Sequence, residues 1–134
     1  MKPLRIERVI VATPDADAAA ATFRRLFGLE NATPGGTGTA AAADAGSDAV
    51  RILALSRAEI AFVTPAAGTA LAAALASGGE GMAALRLEVA DVDAAVSALE
   101  HAGIRFEIER GDDVRIVHVD PATAHGVRLS LVGR

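Results

Sequence analysis

The chain has 134 residues, half of them hydrophobic, with 13 Lys or Arg against 17 Asp or Glu and a formal charge of −4. That length suits one domain, or two small pseudo-repeats sharing a core, and the mild, scattered charge offers no basic stripe to nucleic acid. Cysteine is absent, which excludes disulfides, thiolate metal sites and a cysteine nucleophile. Met1-Lys2-Pro3-Leu4-Arg5 leads straight into a strand, and no apolar run nears the ~18 residues of a membrane span. A cytoplasmic protein without signal peptide or membrane partner is expected.

Ile6 to Ala12 alternates as a first strand. Asp15 caps a helix that runs to Phe27, with Phe23, Leu26 and Phe27 on its apolar face, and Gly28 supplies a left-handed exit. Residues 31–48 are low in complexity and rich in turn formers, with a weak edge strand predicted near 37–43. Val50 to Leu55 and Glu59 to Val63 form a hairpin. Residues 64–68 are a linker, and 69–77 a short alanine–leucine helix stopped by Gly78-Gly79. Then follow a strand over 83–89, a helix over 91–102 ending at Gly103, and strands over 104–109, 114–119 and 126–132.

This order repeats itself. Val9-Ile10-Val11-Ala12-Thr13-Pro14-Asp15-Ala16-Asp17-Ala18-Ala19 reappears as Leu85-Arg86-Leu87-Glu88-Val89-Ala90-Asp91-Val92-Asp93-Ala94-Ala95, a strand running into an aspartate-capped helix. Asp48-Ala49-Val50-Arg51-Ile52 is echoed by Asp112-Asp113-Val114-Arg115-Ile116. The expected fold is α+β: two tandem βαβββ modules, 1–64 and 81–134, joined by a linker helix over 65–80 within a single domain. Their strands are expected to make a curved eight-stranded mixed sheet around a cleft, with helices on the outer face.

Gly79-Glu80-Gly81-Met82 ahead of the second copy resembles the Gly-Glu-Gly-Leu-His-His run of the vicinal-oxygen-chelate (glyoxalase/bleomycin-resistance/dioxygenase) superfamily, nearest to its methylmalonyl-CoA epimerase-like members. Asp120-Pro121-Ala122-Thr123-Ala124-His125-Gly126-Val127 is similar to that family's Pro-x-x-Thr-His-Gly-Val turn. Enzymes of the family hold a divalent metal with four side chains on the first and last strands of each module. Carried over residue by residue, those positions are Arg8, Ala61, Ala84 and Ser130. A cation, two alanines and a serine make no such site, so no metal and no other cofactor is expected.

Period-two alternation places Val9, Val11, Ile60, Phe62, Leu85, Leu87, Val89, Leu129 and Leu131 under the helices. The opposite, concave face carries Arg8, Ile10, Ala12, Glu59, Ala61, Val63, Ala84, Arg86, Glu88, Arg128, Ser130 and Val132. Three arginines and two glutamates there must be paired or hydrated. Either Arg8–Glu59, Arg86–Glu88 or similar pairs neutralise each other at a wet rim, or the arginines form a pocket for an anion. In the second case Arg8, Glu59, Arg86, Arg128 and Ser130 are the ligand-binding candidates, and the ligand is a carboxylate or an acyl-CoA. His118 and Glu88 are the candidate catalytic groups. His101 suits a helix C-terminus, and His125 a turn.

Two function classes remain open beside a third, a structural or oligomerising module with an occluded cup. One is a metal-free binding protein that takes a small anionic or aliphatic metabolite in a sequestering or accessory role. Four phenylalanines with no Trp or Tyr argue against a stacking, bleomycin-type drug trap. The other is an epimerase- or lyase-like enzyme using arginine electrostatics or an unrecognised metal site. A homodimer is expected, because the family commonly pairs subunits.

Overall fold

A computed structural model describes residues 2–28, 33–34 and 47–133. The chain forms two compact units, one of Arg8–Ala83 and the other of Met1–Glu7 with Ala84–Arg134. Each is α+β, with a helix packed on a mixed sheet.

The unit of Arg8–Ala83 takes the second half of β1 (Pro3–Ala12), followed by α1 (Ala16–Phe27), β2 (Thr33–Pro34), β3 (Ser47–Ala54), β4 (Glu59–Pro65) and α2 (Ala70–Gly78). Its strand order is β2–β3–β4–β1. β1 runs parallel to β4, with Arg8 opposite Glu59 and Val11 opposite Phe62, while β3 is antiparallel to β4. The Asp15 side chain accepts the Ala18 N–H at the start of α1, and Gly28 at φ 68° closes it. Ala16 and Ala20 of α1 pack on Leu53 and Phe62, with Phe23 against the Phe62 ring at 5.3 Å. Small residues on the helix let it lie close to the sheet. Leu26 and Phe27 remain exposed, at 70% and 49%, so the apolar face of α1 ends one turn earlier than its pattern suggests.

The second unit contains the first half of β1, then β5 (Gly81–Val89, of which it takes residues from 84), α3 (Val92–His101), β6 (Phe106–Arg110), β7 (Arg115–Val119) and β8 (Leu129–Gly133). These four strands lie in the order β5–β8–β7–β6, with β5 parallel to β8 and the other pairs antiparallel. Val92, Ala95 and Leu99 of α3 bury Val89, Val117, Val119 and Leu131. Val89 and Leu131 belong to the set that period two assigns to the helix side, and Val117 and Val119 join them there.

Several boundaries differ from expectation. The edge strand expected near 37–43 lies outside the described residues. β6 begins at Phe106 rather than 104 because the Ile104 N–H still bonds the Leu99 carbonyl, finishing the helix. β8 begins at Leu129 rather than 126. A 3₁₀ turn over Pro121–Thr123 precedes it, and His125 (φ 57°) and Gly126 (φ 80°) are left-handed, which no strand accommodates. Among the described residues, no helix is long and apolar enough to cross a membrane.

Candidate functional site

The sheet face opposite α3 carries the polar residues of the second unit. Arg86 on β5 is opposite Ser130 on β8, Ser130 is opposite His118 on β7, and His118 is opposite Glu107 on β6, one step from Glu109. Val117, Val119 and Leu131 point to the helix, so their strand neighbours His118 and Ser130 point away from it.

Hydrogen bonds join this row. His118 Nδ1 lies 2.9 Å from Ser130 Oγ, and His118 Nε2 lies 2.7 Å from Glu109 Oε2. An ionised carboxylate only accepts, so Nε2 is the donor to Glu109, and in the neutral ring Nδ1 then accepts from the serine hydroxyl. The His118 and Glu109 side chains are about one-third exposed. His118 also opens onto a groove of about 690 Å³ walled by Phe106, Val119 and Pro121, with Glu100, Arg105, Glu107 and Asp120 around it. Glu109 was not singled out from the sequence. The signal was there: the Gly111-Asp112-Asp113 turn sets the β6–β7 register, and that register brings residues 107 and 109 to His118.

Arg86 is 1% exposed. Its Nη1 lies 3.6 Å from Glu7 Oε2, while Glu88 is paired with Arg5 through Nε. The expected Arg86–Glu88 pair is therefore replaced by partners from the N-terminal segment. Two residues apart on one strand is a span of about 6.8 Å, whereas residues of a neighbouring strand come within direct reach. A smaller hollow of about 240 Å³ lies beside them, lined by Leu4, Arg5, Glu7, Glu88 and Val132 among others. Arg128 precedes β8, where its carbonyl accepts the Leu85 N–H.

In the other unit Arg8 is 4% exposed, not at a wet rim, and donates from Nη2 (2.8 Å) and Nε (3.2 Å) to Glu59 Oε2. Ala61 and Val63 beside it are fully buried. A second link there was also missed from sequence: Thr13, 1% exposed, donates from Oγ1 to Glu80 Oε1 at 2.7 Å.

The four family ligand positions do not fit a divalent ion. Arg8 is a cation held by Glu59, Ala61 and Ala84 carry no donor atom, and Ser130 is hydrogen-bonded to His118. Among the described residues, no three His, Asp or Glu side chains gather closely enough to hold a metal.

Residues 7–118 match the family model of the Glyoxalase/Bleomycin resistance protein/Dioxygenase superfamily. A search of curated proteins gave no match. Solved structures do match over nearly the whole chain. A variant of Streptomyces coelicolor methylmalonyl-CoA epimerase, in complex with 2-nitronate-propionyl-CoA, is 26% identical at a TM-score of 0.78, covering 98% of this chain and 94% of that one. The methylmalonyl-CoA epimerase from Mycobacterium tuberculosis is 27% identical at 0.78, covering 97% and 87%. A methylmalonyl-CoA epimerase in complex with methylmalonyl-CoA and NH4+ is 26% identical at 0.76, covering 98% and 94%.

Proposed function

The chain belongs to the glyoxalase/bleomycin resistance protein/dioxygenase superfamily, and from that membership we propose that it binds a small anionic metabolite, a carboxylate or an acyl-CoA, without a divalent metal. The observation that carries this reading is Arg86, a buried guanidinium opposite Ser130 in a fold whose solved relatives hold acyl-CoA compounds. The planar guanidinium fork suits a carboxylate or phosphate. In this reading Arg86 and Ser130 orient the acid group and Arg128 adds charge at the start of β8. Arg8 and Glu59 serve as a neutral pair that holds β1 on β4.

The same reading takes residues 1–64 and 81–134 as tandem βαβββ modules of one domain, joined by 65–80, with eight strands curved around a cleft. The strand orders β2–β3–β4–β1 and β5–β8–β7–β6, each with a helix after its first long strand, support it. Cytoplasmic homodimers belong to the proposal as well, and light scattering on the purified protein tests the assembly.

An epimerase- or lyase-like enzyme is the second reading, favoured by the identity to methylmalonyl-CoA epimerases along nearly the whole chain. It needs a group that moves a proton. Glu88 is engaged by Arg5, so His118 is the stronger of the two candidates.

Thermal denaturation with methylmalonyl-CoA, propionyl-CoA, CoA and free methylmalonate tests the ligand class. A ligand at a hundredfold excess over its Kd adds about 2.7 kcal/mol to the native state, a shift of several degrees. Arg86→Lys keeps the charge but loses the fork, and is expected to weaken the response by roughly tenfold in Kd. Silence toward every acyl-CoA and carboxylate overturns the ligand class. Stoichiometric Co, Ni, Mn or Zn by elemental analysis, with stabilisation by the same ion, overturns the metal-free reading.

A further inference from the structure

We infer that Glu109, His118 and Ser130 form a nucleophilic relay that cleaves an ester or thioester acyl group, with Ser130 as nucleophile, His118 as general base and Glu109 as the residue that positions His118. Its preference for an anionic acyl compound rests on the ligand reading above; the relay itself does not.

Three adjacent strands present the three side chains on one face, with His118 in the middle and its two ring nitrogens engaged on opposite sides. A carboxylate on one nitrogen and a hydroxyl on the other is the arrangement that turns a serine into a nucleophile. Glu109 fixes the tautomer, leaving the Nδ1 lone pair aimed at the Ser130 proton. The half-buried Ser130 stands on β8 beside β5, where its register partner Arg86 puts a fixed positive charge on the next strand, about 4.8 Å away between backbones.

The chemistry balances with water as the only co-reactant. Ser130 Oγ bonds to the acyl carbonyl carbon while its proton passes to His118 Nδ1, and Glu109 stabilises the imidazolium. Collapse breaks the carbon–sulfur or carbon–oxygen bond, and the leaving thiolate or alkoxide takes the proton from His118. Water then adds to the acyl-serine with its proton going to His118. Departure of the carboxylic acid returns that proton to Ser130 Oγ.

A fluorophosphonate ester, which reacts only with activated hydroxyl groups and carries neither CoA nor a carboxylate, tests the relay on the full chain. Intact mass followed by peptide mapping is expected to find one adduct, on Ser130. Ser130→Ala should abolish it, and His118→Ala should slow it by about 100-fold or more. Glu109→Gln should lower kcat for thioester hydrolysis, read as thiol release from propionyl-CoA, by about tenfold while KM and the thermal midpoint stay in place. No adduct on a folded wild-type chain, an adduct elsewhere, or equal labelling in Ser130→Ala overturns the relay. Labelling without an acyl-CoA thermal shift sinks the anion reading alone, and a thermal shift without labelling sinks the relay alone.

Discussion

Gly133 closes β8 beneath the first turn of α3, and there is no room above it for a side chain. A Cβ at this position would sit 2.3 Å from Val92 Cγ2 and 3.2 Å from the Val89 carbonyl oxygen. Val92 is 2% exposed and β-branched, so it has no slack rotamer to swing into. Gly133→Ala is therefore expected to destabilise the protein by about 1–3 kcal/mol, the usual cost of overpacking a core. Denaturant titration reads the change. The contact also predicts non-additivity: with Val92→Ala already in place, Gly133→Ala should cost clearly less than it does alone. Equal costs in both backgrounds would locate the damage in the strand backbone rather than in the Val92 methyl. Gly103 offers a control, since its added Cβ meets open space and only its φ of 71° opposes substitution.

The helices illustrate what a sequence discloses and what it withholds. Asp-x-Asp-Ala-Ala names both long helices and their caps, because an N-cap is a contact between residues two or three apart. Asp91 accepts the N–H groups of Asp93 and Ala94 as the pattern requires. Period two likewise assigns Phe62 and Leu131 to the helix side. Pairings across strands were harder to read. Arg8 meets Glu59, one of the expected pairs, yet Arg86 and Glu88 turn to Glu7 and Arg5, whose partners lie about eighty residues away in sequence. Choosing among several carboxylates of equal local merit needs the register of β5, and apolar patterning fixes faces without fixing partners. The same limit hid Glu109 from His118 until the hairpin register was known. The charge pairs of the elements carry a pH consequence. Asp93 in the first turn of α3 accepts from Arg115 of β7 at 2.7 Å, and the hydrogen bond with the guanidinium holds its carboxyl below the ordinary aspartate range. A carboxyl depressed in the native state adds stability above its unfolded value, and that contribution is lost as pH falls through the native value. The pair is exposed, so the effect is small and salt-sensitive. Asp93→Asn should lower stability slightly at neutral pH, flatten the acid limb of a stability-versus-pH curve below about pH 4, and meet the wild type at the acid end. The difference from wild type should shrink in 0.5 M salt. An unchanged acid limb at low salt would mean that the pair persists in the unfolded chain.

Across the whole molecule, the two compact units do not follow chain order. Met1–Glu7 belongs with Ala84–Arg134, so one strand serves both units and the segment Arg8–Ala83 lies between two parts of the other. The contacts of the N-terminal segment are specific. Arg5 pairs with Glu88, Glu7 lies beside Arg86, and Leu4, Arg5 and Glu7 line a hollow with Val89, Val132 and Gly133. Uniting these pieces closes a loop of about eighty residues, and the entropy of that closure must be offset by what the short segment buries and pairs. A chain without Lys2-Pro3-Leu4-Arg5 should accordingly lose stability in residues 84–134 of the same unit, far away in sequence, rather than in the residues that follow the cut. Glu88 would lose its guanidinium partner, and the hollow beside Val132 would open to water. Hydrogen exchange is expected to rise in β5 and β8, over 84–89 and 129–133, while α1 and the β3–β4 hairpin keep their protection. Faster exchange confined to residues 6–12 would show the segment to be a frayed end. Arg5→Ala should reproduce part of the effect with every residue of the strand backbone still present, which separates the ion pair from the strand that carries it.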